Sequence, residues 1–211
     1  MLYLIRHGES LSNIDLTEYE RTPNALIELT EQGKIQANEV SEILSKELYD
    51  PDLSKLLFCP APPSVVIWTS PYARAKQTAE IIREKIFYAE FRENLLLIEQ
   101  NFGIATGAPS TEEYVKGKEE QERLLFKAGR LFTALPQGES KADVALRAEV
   151  FLHKLSFIYQ HCTNINHIVV SHQGFCHMLE AQITGHIPDA WDWENCEMRK
   201  FEHSHGEFRR I

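Results

Sequence analysis

The chain has 211 residues, 43% of them hydrophobic and 25% charged, with a formal net charge of −9. That composition fits one globular domain and excludes a disordered chain. The negative charge speaks against nucleic acid or an anionic membrane surface as a partner, since both need a basic face.

Leu2-Tyr3-Leu4-Ile5 is a short apolar run ending in Arg6-His7-Gly8, which reads as a buried strand followed by a loop. Thr30 caps an expected helix with Val40, Ile43, Leu44 and Leu48 in phase, and Glu31 in its first turn suits the helix dipole. Residues 49–63 carry Pro51, Pro60, Pro62 and Pro63 and read as an exposed connection. Residues 64–68 form a second apolar strand, and a helix is expected to open at Pro71 with Ala75, Ala79, Ile82 and Ile86 on one face. Leu95 to Ile98 suggests a third strand. Residues 112–135 read as a charged helical excursion beside the sheet, placed to cover a site. A helix with Ala145, Ala148, Leu152, Leu155 and Tyr159 in phase follows. Ile168-Val169-Val170 is then a strand ending at Ser171-His172, with a helix from about Phe175, and the tail around Gly206 suggests a hairpin.

Strands alternating with helices indicate an α/β three-layer sandwich, with helices flanking a mostly parallel (mixed) central sheet. Met1 to Ile5 is too short and lacks the basic lead of a signal peptide, and no run of about 18 apolar residues spans a bilayer. Cys59, Cys162, Cys176 and Cys196 lack the paired spacing of a zinc site. Free thiols and a cytoplasmic location are the expectation.

Three strands stop at polar residues: Arg6-His7, Ser70 and Ser171-His172. Ligands of open α/β sheets bind beyond the carboxyl ends of strands, so these ends converge on a candidate site. Arg6 offers a planar fork for phosphate oxygens, Asn13 an amide donor, and His7 a nitrogen nucleophile near neutral pH. Gly8 permits a tight turn and close approach of backbone to ligand.

Taken together, Arg6-His7-Gly8-Glu9-Ser10 with Asn13, Leu29-Thr30-Glu31-Gln32-Gly33, the Ser70-to-Ala79 segment built around Arg74-Ala75-Lys76-Gln77-Thr78, Glu99-Gln100-Asn101-Phe102-Gly103, and Val169-Val170-Ser171-His172 resemble the histidine phosphatase superfamily, phosphoglycerate-mutase-like branch. The match runs in order over nearly the whole chain. It implies a phosphoglycerate-mutase-like fold, a single domain over 1–211 and a lid-like excursion at about 104–138. It also implies Arg74 as the second phosphate-binding arginine, His172 as the second histidine on the phosphate, and Glu99 as proton donor and acceptor. The family usually places Gly directly after that histidine, whereas here Gln173 intervenes before Gly174, so a phosphate contact from the Gln173 side chain is expected. Glu139 reads as a helix-start residue.

The expected activity is a metal-independent phosphatase acting on a small phosphorylated substrate through a phosphohistidine at His7, with no cofactor. A cofactor-dependent phosphoglycerate mutase is the nearest rival; the sequence after Gly103 carries no stretch equivalent to its carboxylate-gripping segment. A non-catalytic phospholigand-binding module is the rival from another class. No motif supports His153, His161, His167, His177, His186, His203 or His205 as ligands, and the pattern assigns no oligomeric state.

Overall fold

A computed structural model describes residues 1–48, 65–103, 129, 131–162, 164–187, 193–204 and 206–211. The Pro-rich connection expected at 49–63 and most of the excursion expected at 104–138 lie outside them. Strands β1 (Leu2–Arg6), β2 (Val65–Thr69), β3 (Glu90–Glu93), β4 (Asn166–Ser171), β5 (Met198–Ser204) and β6 (Glu207–Arg210) form one sheet in the order β3-β2-β4-β1-β5-β6. The four strands from β3 to β1 run parallel, and β5 and β6 close the sheet as the expected antiparallel hairpin.

Alternate side chains of each strand enter opposite faces. Leu2, Leu4, Val66, Trp68 and Val169 pack with Phe151 and Leu155 of α5 (Lys141–His161) and Phe175 and Leu179 of α6 (Gln173–Thr184). Tyr3, Ile5, Ile67, Ile168 and Val170 pack with Val40 and Leu44 of α3 (Glu31–Glu47) and Ala79 and Ile82 of α4 (Ala73–Lys85). Because both faces are covered, the central strands read as continuous apolar runs rather than as an alternation. Two short helices, α1 (Leu11–Ile14) and α2 (Glu18–Arg21), lie between β1 and α3.

Register positions the site. Arg6 of β1 lies level with Ser171 of β4, and Thr69 of β2 with Val170 of β4. The ladder continues one residue further, with His7 N donating to Ser171 O at 2.9 Å and Ser70 N to Val170 O at 3.1 Å. The three polar strand ends are therefore neighbours.

Three sequence expectations need correction. The third strand is Glu90–Glu93, and Leu95–Leu97 is instead a 3₁₀ turn capped by the Asn94 side chain. β3 is an edge strand and half solvated, so three of its four residues, Glu90, Arg92 and Glu93, are charged, while Leu97 is apolar because it faces the α5 layer. Helix α4 starts at Ala73, not Pro71, with Tyr72 as its extended cap. Helix α6 starts at Gln173, two residues earlier than its apolar pattern suggests.

Candidate active site

The loop after β1 is clamped from several sides. Gly8 N donates to Thr78 Oγ1 at 3.1 Å, Glu9 N to Gln36 Oε1 at 2.8 Å, and Leu29 N to Gln77 Oε1 at 2.8 Å. A Cβ on Gly8 would stand 2.5 Å from Gly33 O, and one on Gly33 would stand 2.0 Å from Glu9 O. Both glycines are thus required by the close passage of this loop over the first turn of α3. Thr30, the expected cap, accepts from Gly33 N at 3.0 Å and donates to Glu9 Oε1 at 2.7 Å. Loss of such a cap costs about 1 kcal/mol.

His7 is 4% exposed, and its Nδ1 lies 2.7 Å from Gly8 O. A carbonyl only accepts, so Nδ1 carries the proton and Nε2 is left with a lone pair. Arg74 Nε donates to that nitrogen at 3.2 Å, and Arg74 Nη1 donates to Asn24 O at 2.7 Å. Burial and the neighbouring Arg74 and Arg6 guanidinium groups hold the His7 pKa well below the usual imidazole range. The ring therefore stays neutral across the physiological range.

Arg6 Nη1 donates to Trp193 O at 2.6 Å, while its Nε is buried without a partner in the protein. A partnerless buried guanidinium N–H is a ready donor for an anion. Arg6, His7, Asn13, Arg74, Glu99 and Gln173 line one cleft of about 320 Å³, completed by Ser12, Tyr19, Phe102 and Gly174. Six of the seven expected site residues thus meet in one place. The seventh, His172, is fully buried beside it, its ring edge-on to His7 at a centroid distance of 5.1 Å. Its Nε2 lies 2.9 Å from Ser70 Oγ, and its Nδ1 has no protein partner. Burial first, then Arg74, lowers its pKa well below the ordinary value.

Glu99 is partly buried, and its Oε1 accepts from Gln100 N at 2.8 Å and Gly174 N at 3.0 Å. Desolvation raises its pKa above the usual carboxylate value, against the opposing pull of those N–H groups, Arg74 and Arg6. The displaced glycine now has a physical reason. A Cβ on Gly174 would stand 2.5 Å from Glu99 Oε1, so the second position of α6 must be bare to hold the acid. The backbone donor near His172 thus serves the carboxyl group, while Gln173 borders the cleft.

Several supporting residues escaped the sequence reading. Glu139 is more than a helix-start residue: it pairs with Arg147 Nε at 2.8 Å and accepts from Asn101 N at 2.9 Å. Arg147 also donates to Ile98 O, so this pair buttresses the segment that carries Glu99. Asn195 Nδ2 donates to His7 O at 3.1 Å and to Asn13 Oδ1 at 3.3 Å. Asn13 Oδ1 also accepts from Ser10 N at 2.9 Å, which leaves the Asn13 amide nitrogen as the donor this residue retains. Cys196, at a φ of +56°, adds its N–H to Arg6 O and His7 O, and no local sequence pattern announces this second clamp.

Among the described residues, no group of three or more His, Cys, Asp and Glu is placed to hold a metal ion. His203 stacks on Tyr159 at 4.6 Å, and His205 lies outside the described residues. No described helix is long and apolar enough to cross a membrane. A larger cleft of about 480 Å³ between α5, α6 and β6 has Glu149 and Glu207 among its described lining and neither arginine nor lysine, so it is unsuited to phosphate.

Comparison with known proteins gives the family and the shared fold. Phosphoglycerate mutase-like protein AT74H of Arabidopsis thaliana is 33% identical over 160 residues, covering 73% of this chain and 52% of that protein. Its relative AT74 is likewise 33% identical, over 161 residues, so the chain spans about half the length of the curated relatives it matches. The fold is shared with the α-ribazole phosphatase of Shigella flexneri, at a TM-score of 0.71 and 23% identity over 100% of this chain and 95% of that one. It is shared too with a mycobacterial glucosyl-3-phosphoglycerate phosphatase solved with VO3, at a TM-score of 0.70 and 21% identity over 100% and 95% of the two chains. The sequence profile of the histidine phosphatase superfamily (branch 1) matches residues 2–210, and this chain belongs to that superfamily.

Proposed function

We propose that the protein hydrolyses phosphate monoesters in two steps through a phosphohistidine on His7. The observation that carries this reading is the pairing, in one cleft, of a neutral His7 whose Nε2 lone pair is fixed by the Gly8 contact with a carboxyl group, Glu99, of raised pKa. Arg74 Nε shields that lone pair with a hydrogen bond. A dianionic phosphate is the stronger acceptor, and draws the guanidinium onto its oxygens as it docks.

In the first step His7 Nε2 forms a bond to phosphorus as the ester P–O bond breaks, and Glu99 gives its proton to the leaving oxygen. Arg6, Arg74, the Asn13 amide and His172 Nδ1–H stabilise the equatorial oxygens, with Ser70 holding the opposite nitrogen of His172. In the second step water gives a proton to Glu99 and its oxygen attacks phosphorus. The N–P bond breaks, releasing inorganic phosphate and neutral His7. Phosphatase activity in structural neighbours supports the hydrolytic outcome. One catalytic unit and a cytoplasmic location complete the reading, the latter supported by the free thiols Cys162, Cys176 and Cys196.

The test is hydrolysis of p-nitrophenyl phosphate across about pH 4–8, with and without EDTA, beside His7→Ala. Turnover that resists EDTA and disappears in the variant is expected. Turnover surviving in His7→Ala overturns the assignment of the nucleophile, and phosphoryl exchange between phosphoglycerates without hydrolysis replaces the phosphatase by a mutase.

A further inference from the structure

We propose that this site selects monoesters whose alcohol carries an uncharged aromatic group, an inference that rests on the phosphatase reading above. A leaving oxygen that takes its proton from Glu99 must pass that carboxyl group, so the alcohol lies against what borders it. Phe102 follows Glu99 by three positions, lines the same cleft and is 43% exposed. Tyr19 of α2 supplies a second aromatic side chain to the same cleft. The segment carrying Tyr19 also exposes Ile14, Leu16 and Leu26. Aromatic side chains contributed by two separate elements favour a planar group by offset or edge-on contact.

Charge points the same way. Among the described lining residues, Arg6 and Arg74 are the only cations and Glu99 the only carboxylate. Both guanidinium groups serve the phosphoryl oxygens, so among the described lining residues a carboxylate or second phosphate on the alcohol meets no further cation, and Glu99 repels it once that group ionises. Ser12, Asn13 and Gln173 are neutral.

Benzyl phosphate and glycerol 2-phosphate are both esters of aliphatic alcohols, so their relative kcat/KM reads recognition rather than leaving-group chemistry. We expect benzyl phosphate to be preferred by about tenfold, in line with one aromatic contact, and 3-phosphoglycerate to be the poorest of the three. Phe102→Ala should collapse the benzyl preference, and Phe102→Tyr should restore it. Hydrolysis of all three at similar kcat/KM, or a benzyl preference that Phe102→Ala leaves intact, overturns this inference while leaving the phosphatase standing. Hydrolysis of no ester at all overturns both.

Discussion

Replacing Glu99 by Gln isolates the proton transfer from everything else the residue does. The glutamine carbonyl keeps the acceptor used by Gln100 N at 2.8 Å and Gly174 N at 3.0 Å, so the side chain stays seated and the loop remains folded. What disappears is the acidic proton. General acid catalysis contributes roughly 10²–10⁴ in rate, or about 3–5 kcal/mol of barrier. That contribution matters only when the leaving oxygen needs a proton. An aliphatic alcohol such as benzyl alcohol needs one, whereas p-nitrophenol departs as a stabilised phenolate. The prediction is therefore a split: Glu99→Gln lowers kcat/KM for benzyl phosphate by about 10²–10⁴ and for p-nitrophenyl phosphate by about tenfold or less. Using kcat/KM keeps the measurement on the phosphorylation step, even where dephosphorylation limits kcat. The pH profile gives a second readout. Desolvation raises the Glu99 pKa, so the acid form persists above the ordinary carboxylate range, and wild-type kcat/KM for benzyl phosphate falls once pH passes that raised value. The variant should lose that limb. Equal losses for both esters, or an unchanged alkaline limb, would refute Glu99 as the acid.

The bare Gly174 should give the same signature by another route. Gly174→Ala puts a methyl group 2.5 Å from Glu99 Oε1 and pushes the carboxyl group off its backbone donor. Benzyl phosphate should then suffer more than p-nitrophenyl phosphate, with thermal stability nearly unchanged; equal turnover of both esters at wild-type rates would disprove the contact. His167, fully buried, accepts from Trp68 Nε1 at 3.0 Å, and burial lowers its pKa to about 3. A depressed histidine pKa means that the unfolded chain takes up the proton first, so stability holds above about pH 6.5 and falls with pH from there toward pH 3. Between pH 7 and 5 this one group should remove about 2 kcal/mol. His167→Asn keeps an acceptor near the Trp68 N–H and should show that much less pH dependence in urea denaturation. An identical dependence in both proteins would count against it.

Much of the site was legible because its signals are local. The apolar run before Arg6-His7 and the Thr30 cap are short-range patterns whose physics is complete within a few residues. Since strands of a parallel sheet deliver their carboxyl ends to one edge, the strand-end motifs also indicated where Arg6, His7, Ser70 and His172 would gather. The strand after α4 was misplaced for the opposite reason. Edge position made β3 mostly charged, and burial against α5 made the following 3₁₀ turn apolar, so the pattern reported the environment rather than the backbone shape.

What the amino-acid sequence determined by itself was the family of elements and the chemistry held at their ends. Only the tertiary structure decided how those groups are held. Gly33 is bare because Glu9 passes over it, Gly174 because Glu99 docks there, and Arg147, Glu139 and Asn195 hold the segments that carry Glu99 and His7 through partners distant in the chain. Such contacts have no period and no spacing. They exist once folding has brought the surfaces within hydrogen-bond range, which is why no run of residues announces them.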